Sequence, residues 1–313
     1  MSGAAHSAAG AHRAPLLIGL ALNGGFAVVE ATAAWLTGSL VLLADAGHML
    51  TDVAGLTFAL LAIWFARRPA TAQKTFGYYR LEILAALLNG LMLLGLAAFI
   101  FIEASARLNE PPNVPSWPVL IVALLGLIAN LVPAILLHRG AAESLTVKSA
   151  FLDMLGDAVA SGAAIAAGIL MLTTGWRYAD PLFAMLVGVL LIPRTYRLLE
   201  EVVNVLLEGA PKGTDTRMLS GLMESVPGVQ SVHDLHVWTV TSGFVALSGH
   251  VEVAADCDRD AVLVAIRERL DNRFDIRHVT LQVETASLEE RLAEPCLPES
   301  AQCYATNGLP ESD

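Results

Sequence analysis

Two pairs of ionisable side chains with helical spacing lie inside long apolar segments of the sequence. His48 and Asp52 occur in LLADAGHMLTDVAGL, and Asp153 and Asp157 occur in SAFLDMLGDAVASG. Residues four positions apart project from one face of a helix, so each pair presents its side chains together. One imidazole and three carboxylates can supply four ligands to a divalent metal ion. The spacing therefore predicts a metal site formed by these four residues.

Hydrogen bonding between helices is the alternative interpretation of this quartet. Ionisable groups in a bilayer core are costly, and a functional role is their default interpretation. Three carboxylates in one place also repel each other unless a cation or protons neutralise them. Both considerations favour a metal site over purely structural contacts.

The composition is that of a membrane protein with a soluble part. Hydrophobic residues make up 55% of the chain and charged residues 16%, whereas soluble domains usually carry about 25% charged residues. Most of the net charge of −11 lies in residues 207–313, which hold 18 of the 30 acidic and 8 of the 19 basic residues. An acidic soluble part argues against nucleic acid as a partner and is compatible with cation binding.

Six apolar segments are each long enough to cross a bilayer, which takes roughly 20 mostly apolar residues. Basic residues are concentrated in the loops 67–80 and 138–148, so the positive-inside rule predicts that both termini are cytoplasmic. The N-terminus has no signal-peptide pattern, and lipid is an expected partner. The predicted spans are 15–36, 39–66, 81–106, 117–137, 146–173 and 179–203.

The two ligand pairs fall at similar depths in the predicted bilayer. At 1.5 Å per residue, His48 to Asp52 lies roughly 14–20 Å below one face, and Asp153 to Asp157 roughly 11–17 Å below the other. The hydrocarbon core is about 30 Å thick, so both pairs lie near its midplane. Substrate sites of transporters are expected there. Since no covalent chemistry is implied, we expect a transporter rather than an enzyme.

Beyond residue 206 the pattern predicts a small two-layer α+β domain. Asp215 caps a helix, VHDLHVWTV and FVALSGHVEV alternate as two strands, and an amphipathic helix precedes a last strand, HVTLQVE. The three cysteines predict no disulfide framework. We divide the chain into four parts. They are an N-terminal tail (1–14), a six-helix membrane domain (15–206), the α+β domain (207–286) and a disordered tail (287–313).

Together, these segments resemble the cation diffusion facilitator family of proton-coupled metal exporters. The motifs that carry the resemblance are SLVLLADAGHMLTDVAGL, FGYYRLEILAALLNG, DMLGDAVAS and HDLHVW, in that order. The resemblance implies an inner-membrane homodimer that exports Zn(II) or a related divalent metal in exchange for protons. It also implies a transport site between the second and fifth helices and a ferredoxin-like cytoplasmic domain. Metal is then both substrate and regulatory ligand, and no other cofactor is expected.

The ligand set departs from the zinc members of that family, which carry HxxxD on both helices. Here Asp153 replaces the second histidine, so the quartet offers one nitrogen and three oxygens. Harder ligands shift the preference toward manganese, iron or cobalt, which leaves the metal open. The loop 67–80 contains no His, Asp or Glu, so the loop metal site of some members is not expected.

In the cytoplasmic domain, the resemblance assigns a regulatory metal site to His233, His250 and Glu284. Gln282 stands where the family has a further histidine, so a two-metal cluster is expected to be incomplete. His236 is either a packed residue or a ligand.

Several other residues have two interpretations each. Asp45 lies three positions before His48. It has either a capping or gating role, or it is a metal ligand on the release path. Asn23 and Glu30 in the first span either support the site and its exit or pack against neighbouring helices. Gly156 and Ala160 have the spacing of closely packed membrane helices.

Two further alternatives concern the tail and the function. Cys296 and Cys303 either capture metal or have no such role. The alternative function is a non-transporting metal sensor or scaffold, against which the intact midplane quartet argues.

Overall fold

The computed structural model describes residues 13–137 and 145–285. Of residues 13–23, 132–134, 136–137 and 145–153 only the backbone is described, which includes Asn23 and Asp153. Cys296 and Cys303 lie outside the described residues. The chain divides into two compact units: the first comprises Met1–Trp64 and Leu84–Leu199, and the second comprises Phe65–Ile83 and Glu200–Asp313.

Six long helices within the described residues occupy the six predicted spans. They are α1 (Arg13–Thr37), α2 (Leu40–Ala66), α3 (Leu81–Arg107), α4 (Ser116–Leu137), α5 (Leu145–Thr174) and α6 (Ala179–Leu206). By length and composition, α2, α3, α6 and Met154–Thr174 of α5 could each cross a membrane, and Ser116–Leu131 of α4 is a shorter apolar helix. The predicted helical membrane domain is thereby confirmed.

Small side chains allow close contact between α4 and α5. A Cβ on Gly168 of α5 would lie 2.7 Å from Leu120 of α4, and Ala160, Ala164 and Ala167 are buried in the same core. In contrast, no atom lies within 4 Å of a Cβ built on Gly156. The expectation of a close helix contact is therefore not met at Gly156 among the described residues, whereas Ala160 of the same pair is buried in the core.

A buried carboxylate from α6 fixes the beginning of α2. Asp180 accepts hydrogen bonds from the Ser39 hydroxyl at 2.6 Å and from the backbone N–H groups of Leu40 and Val41 at 2.7 and 3.3 Å. The first N–H groups of a helix lack intrahelical partners, and a negative charge there is stabilising. Arg107 of α3 lies 3.8 Å from the same carboxylate. Asp180 thus ties one end of α2 to α6 and α3.

The second unit contains the predicted α+β domain. Its elements are α7 (Thr216–Glu224), β1 (Val229–Thr241), β2 (Phe244–Val253), α8 (Arg259–Phe274) and β3 (His278–Glu284). The sheet order is β1-β2-β3, with β1 and β2 antiparallel and β2 and β3 parallel. Leu219 and Met223 of α7 and Ile266 and Leu270 of α8 are fully buried in the core of this domain. This fold prediction is also confirmed.

Local chemistry begins the helices and closes the hairpin of this domain. Asp215 and Asp258 accept backbone N–H bonds at the first turns of α7 and α8, as N-cap carboxylates do. Hydrogen bonds from Arg217 lower the pKa of Asp215. Gly243 has φ +72° in the two-residue turn between β1 and β2, a conformation that costs glycine little.

The residues before α3 pack against this hairpin within the second unit. The Phe244 ring lies 5.5 Å from the ring of Tyr79, and Glu82 accepts hydrogen bonds from Thr241 and Ser242. The turn between β1 and β2 is therefore anchored to the first turn of α3.

The Asp180 cap leads to a stability prediction. We expect Asp180→Ala to destabilise the protein by about 1–3 kcal/mol, because it removes a cap and leaves buried donors unsatisfied. Thermal unfolding of the detergent-solubilised protein should show a lower Tm. Glu103→Gln is the matched control: Glu103 pairs with the same Arg107 but is 38% exposed, so its loss should change little. Equal Tm values for Asp180→Ala and the control would contradict this role.

Candidate metal sites

The side chains of α2 and α5 bring an imidazole and two carboxylates together. His48 Nε2 lies 3.2 Å from Asp157 Oδ1 and 3.7 Å from Asp52 Oδ2. Two ligands that each lie about 2 Å from one tetrahedral ion are themselves roughly 3.3 Å apart. The spacing of these donor atoms around the imidazole nitrogen therefore suits a shared metal ion.

Exposure falls along α2 from one side of this cluster to the other. The side chain of Asp52 is 34% exposed and that of His48 3%, and Asp45 is 1% exposed. His48 Nδ1 has no hydrogen-bond partner among the described residues. The cluster is accordingly open toward the Ala66 end of α2 and closed toward its Leu40 end.

Asp153 lies four residues before Asp157 on α5. This spacing places both residues on one face of the helix. The side chain of Asp153 is outside the described residues, so its role as the fourth ligand stays a prediction. The same holds for a supporting role of Asn23.

A second contact joins α2 and α5 one turn away from the first. Ser161 Oγ donates a hydrogen bond to Asp45 Oδ2 at 3.3 Å. Asp45 precedes His48 by three residues and Ser161 follows Asp157 by four, so the two helices run antiparallel here. Ser161 follows Asp157 by four residues, and this helical spacing is the sequence signal that could have placed Ser161 on the same face of α5. In α1, Glu30 interacts with Asp45.

In the α+β domain, the three predicted ligands converge. His233 of β1 pairs directly with His250 of β2 in the sheet register. Glu284 Oε1 on β3 lies 3.2 Å from His233 Nε2 and 3.3 Å from His250 Nδ1. One ligand atom from each residue lies within 4.8 Å of the others. Gln282 donates a hydrogen bond to Glu284 Oε2 at 2.8 Å, so it positions the carboxylate.

A β-bulge adds Asp234 at the edge of this trio. Asp234 has φ +49° where the strand register shifts between His233 and His236. Its carboxylate lies 2.9 Å from His236 Nε2 and 3.9 Å from His250 Nε2. His236 is therefore partnered by Asp234 outside the trio. The alternation of residues along β1 does not reveal Asp234, because a bulge shifts which face a residue occupies.

Two family models match this chain. The first, described as the cation efflux transmembrane domain, matches residues 16–207. The chain belongs to the cation efflux family. The second model, described as the cytoplasmic domain of cation efflux proteins, matches residues 211–286. The resemblance predicted from the motifs is therefore confirmed, and the chain is a multi-pass membrane protein of a cation transporter family.

Three curated relatives cover nearly the whole chain. The metal cation efflux system protein CzcD of Cupriavidus metallidurans is 43% identical over 92% of this chain and 92% of its own length. The zinc transporter ZitB of Escherichia coli is 43% identical over 94% and 91%. A cadmium, cobalt and zinc/H(+)-K(+) antiporter of Bacillus subtilis is 37% identical over 92% and 94%.

The trio in the cytoplasmic domain can be tested in full-length protein that carries Asp52→Ala to weaken the membrane cluster. We expect His250→Ala to lower Co(II) affinity at the cytoplasmic site by about 100-fold or more, because it removes a metal ligand. Loss of a residue that only hydrogen-bonds to a ligand already lowers metal affinity by about 10–100-fold. Calorimetric titration in detergent measures this affinity.

The matched control is His236→Ala, which removes an imidazole from the same strand. His236 is 57% exposed and bonds to Asp234, so Co(II) affinity should be retained. Equal losses in both variants would mean that His250 is not a specific ligand.

Proposed function

We propose that this protein is a divalent metal cation/proton antiporter that exports Zn(II) or a related divalent metal from the cytoplasm. The observation that carries the proposal is the buried contact of His48 with Asp157 and Asp52, between two helices of a family whose curated relatives are named as metal efflux proteins. His48, Asp52, Asp153 and Asp157 form the transport site. As a secondary active transporter, the protein draws its energy from the proton gradient.

The exposure gradient along α2 supports a direction of loading. We assign the Ala66 end of α2 to the cytoplasmic side, because the loop that follows it carries Arg67, Arg68, Lys74 and Arg80. The partly exposed Asp52 then faces the cytoplasm, and metal meets it before the buried His48. Both termini lie in the cytoplasm, and the protein resides in the inner membrane.

Proton coupling follows from the ligand chemistry. Metal binds only the deprotonated forms of imidazole and carboxylate groups, so metal and protons compete for the same atoms. After the helices move to open the other side, protons bind His48 and a carboxylate and displace the metal. An unperturbed imidazole titrates near neutral pH, which suits His48 for this exchange.

The cytoplasmic domain supplies regulation and assembly. His233, His250 and Glu284 bind metal from the cytoplasm through three ligands, which leaves a coordination position open and makes binding reversible. Bound metal neutralises part of an acidic domain and tightens a homodimer. A non-transporting sensor would need this trio but not the buried cluster between α2 and α5, and is therefore not favoured.

Loss of an anionic transport ligand should abolish export. We expect Asp52→Ala and Asp157→Ala each to reduce metal uptake into proteoliposomes by about 100-fold or more, since no described neighbour replaces the lost ligand. Glu103→Gln in α3 neutralises a carboxylate that pairs with Arg107 and should transport normally. Near-normal uptake by either site variant would refute the transport site.

The metal preference depends on the fourth ligand. Asp153→His creates two histidines and two carboxylates, and we expect uptake to shift toward Zn(II) and Cd(II) relative to Mn(II), because imidazole suits borderline metals better than a third carboxylate. Competition uptake in proteoliposomes with Zn(II), Cd(II), Co(II), Mn(II) and Fe(II) measures the rank order. An unchanged order would place selectivity elsewhere.

A further inference from the structure

Three buried side chains bearing oxygen atoms meet beside the transport site without being part of it. Glu30 of α1 and Ser161 of α5 are 0% exposed, and Asp45 of α2 is 1% exposed. Ser161 bonds to Asp45 Oδ2, and the carboxyl groups of Glu30 and Asp45 interact. Buried oxygen-bearing side chains of three different helices are thus neighbours inside the first unit.

Among the described residues, three of the four carboxyl oxygens of Glu30 and Asp45 have no hydrogen-bond partner. Both oxygens of Glu30 and Oδ1 of Asp45 are buried and have no hydrogen-bond partner among the described residues. Burying polar oxygens without a partner is costly, and two neighbouring carboxylates repel each other unless something neutralises them. The arrangement therefore calls for positive charge at this position, supplied by protons or by a bound cation.

The position of this cluster relates it to the transport site. The step from His48 to Asp45 and the step from Asp157 to Ser161 are each about one turn, and one turn of helix advances about 5.4 Å. Both steps lead toward the closed, Leu40 end of α2. Gly126 of α4 packs closely against this cluster, since a Cβ there would lie 3.2 Å from Ser161 Oγ and 3.1 Å from the Phe26 ring.

We propose that Glu30, Asp45 and Ser161 form a second binding site for the exported divalent cation, one helical turn beyond the transport quartet. This inference rests on the proposed export function. Two carboxylates match the charge of a divalent ion, and their oxygens with the Ser161 hydroxyl form a donor set without nitrogen, which suits hard cations. A borderline metal is held less tightly here than beside His48, so the ion passes from the stronger to the weaker site on its way out.

The decisive experiment isolates this site in the full-length chain. Asp52→Ala, Asp157→Ala and His250→Ala together remove two of the four transport ligands and one of the three cytoplasmic ligands, and equilibrium dialysis of the detergent-solubilised protein then measures Mn(II) binding. We expect remaining Mn(II) binding that Glu30→Gln weakens by about 10–100-fold and Ser161→Ala weakens less, as a lost charged ligand and a lost neutral ligand should. The control Glu103→Gln should leave it unchanged. If Glu30→Gln leaves the remaining Mn(II) binding unchanged, the proposal is overturned.

A second measurement uses the intact quartet and needs only single substitutions. Glu30→Gln should leave Mn(II) affinity at the transport site within about twofold, while it slows Mn(II) uptake into proteoliposomes by about tenfold or more. If Glu30→Gln changes only the pH dependence of uptake and not the amount of Mn(II) bound, Glu30 carries protons alone and the metal site is refuted. Normal uptake by Asp52→Ala and Asp157→Ala would instead refute the transport site, and absence of uptake by the unsubstituted protein would refute the export function itself.

Discussion

The contact of His48 with Asp157 is the interaction on which the membrane unit depends for its chemistry. It joins α2 and α5 where His48 is almost completely buried, and the same helices make a second polar contact one turn away through Asp45 and Ser161. Polar groups inside a membrane need partners on neighbouring helices, since lipid offers none. The two contacts therefore determine which faces of α2 and α5 meet, as well as which atoms can share a cation.

The surroundings of these contacts are unequal at the two ends of α2. At its Leu40 end, Asp180 caps the helix while Arg107 lies beside the carboxylate, and Leu40, Val41 and Leu42 are fully buried. At the other side of the cluster, Asp52 is partly exposed. The side chains along α2 are thus buried at the Leu40 end and partly exposed at Asp52. If α2 moved against α6, the hydrogen bonds to Asp180 at this capped end would have to break, or the helices would have to rotate about them.

The cytoplasmic domain uses the same combination of imidazole and carboxylate on a different scaffold. There the sheet register, rather than helix spacing, aligns His233 with His250 and brings Glu284 beside them. Gln282, the residue that departs from the family pattern, donates a hydrogen bond to the buried Glu284 and positions its carboxylate beside the two histidines. On the same hairpin, the turn donates hydrogen bonds to Glu82 within the second unit.

The amino-acid sequence by itself determined the helices, the strands and the types of ligand. Apolar runs of membrane length, alternation in the strands and cap residues such as Asp215 act locally, and the observed elements follow them. The pairs His48 with Asp52 and Asp153 with Asp157 are set by helical spacing alone. Only the tertiary structure decided which of these side chains touch, since the His48–Asp157 contact spans 109 residues.

The residues that spacing did not single out share one property: their partners are distant in the chain or their backbone is irregular. Asp180 caps a helix 140 residues away, Glu30 meets Asp45 across two helices, and Asp234 reaches the cytoplasmic trio through a bulge. No local pattern encodes such pairings, because they arise from how the elements pack. Gly156 shows the converse, since its small-residue spacing suggested a close contact, yet no described atom lies within 4 Å of a Cβ built there. Local sequence chemistry thus determined the ligand types and elements, and packing decided which of them meet.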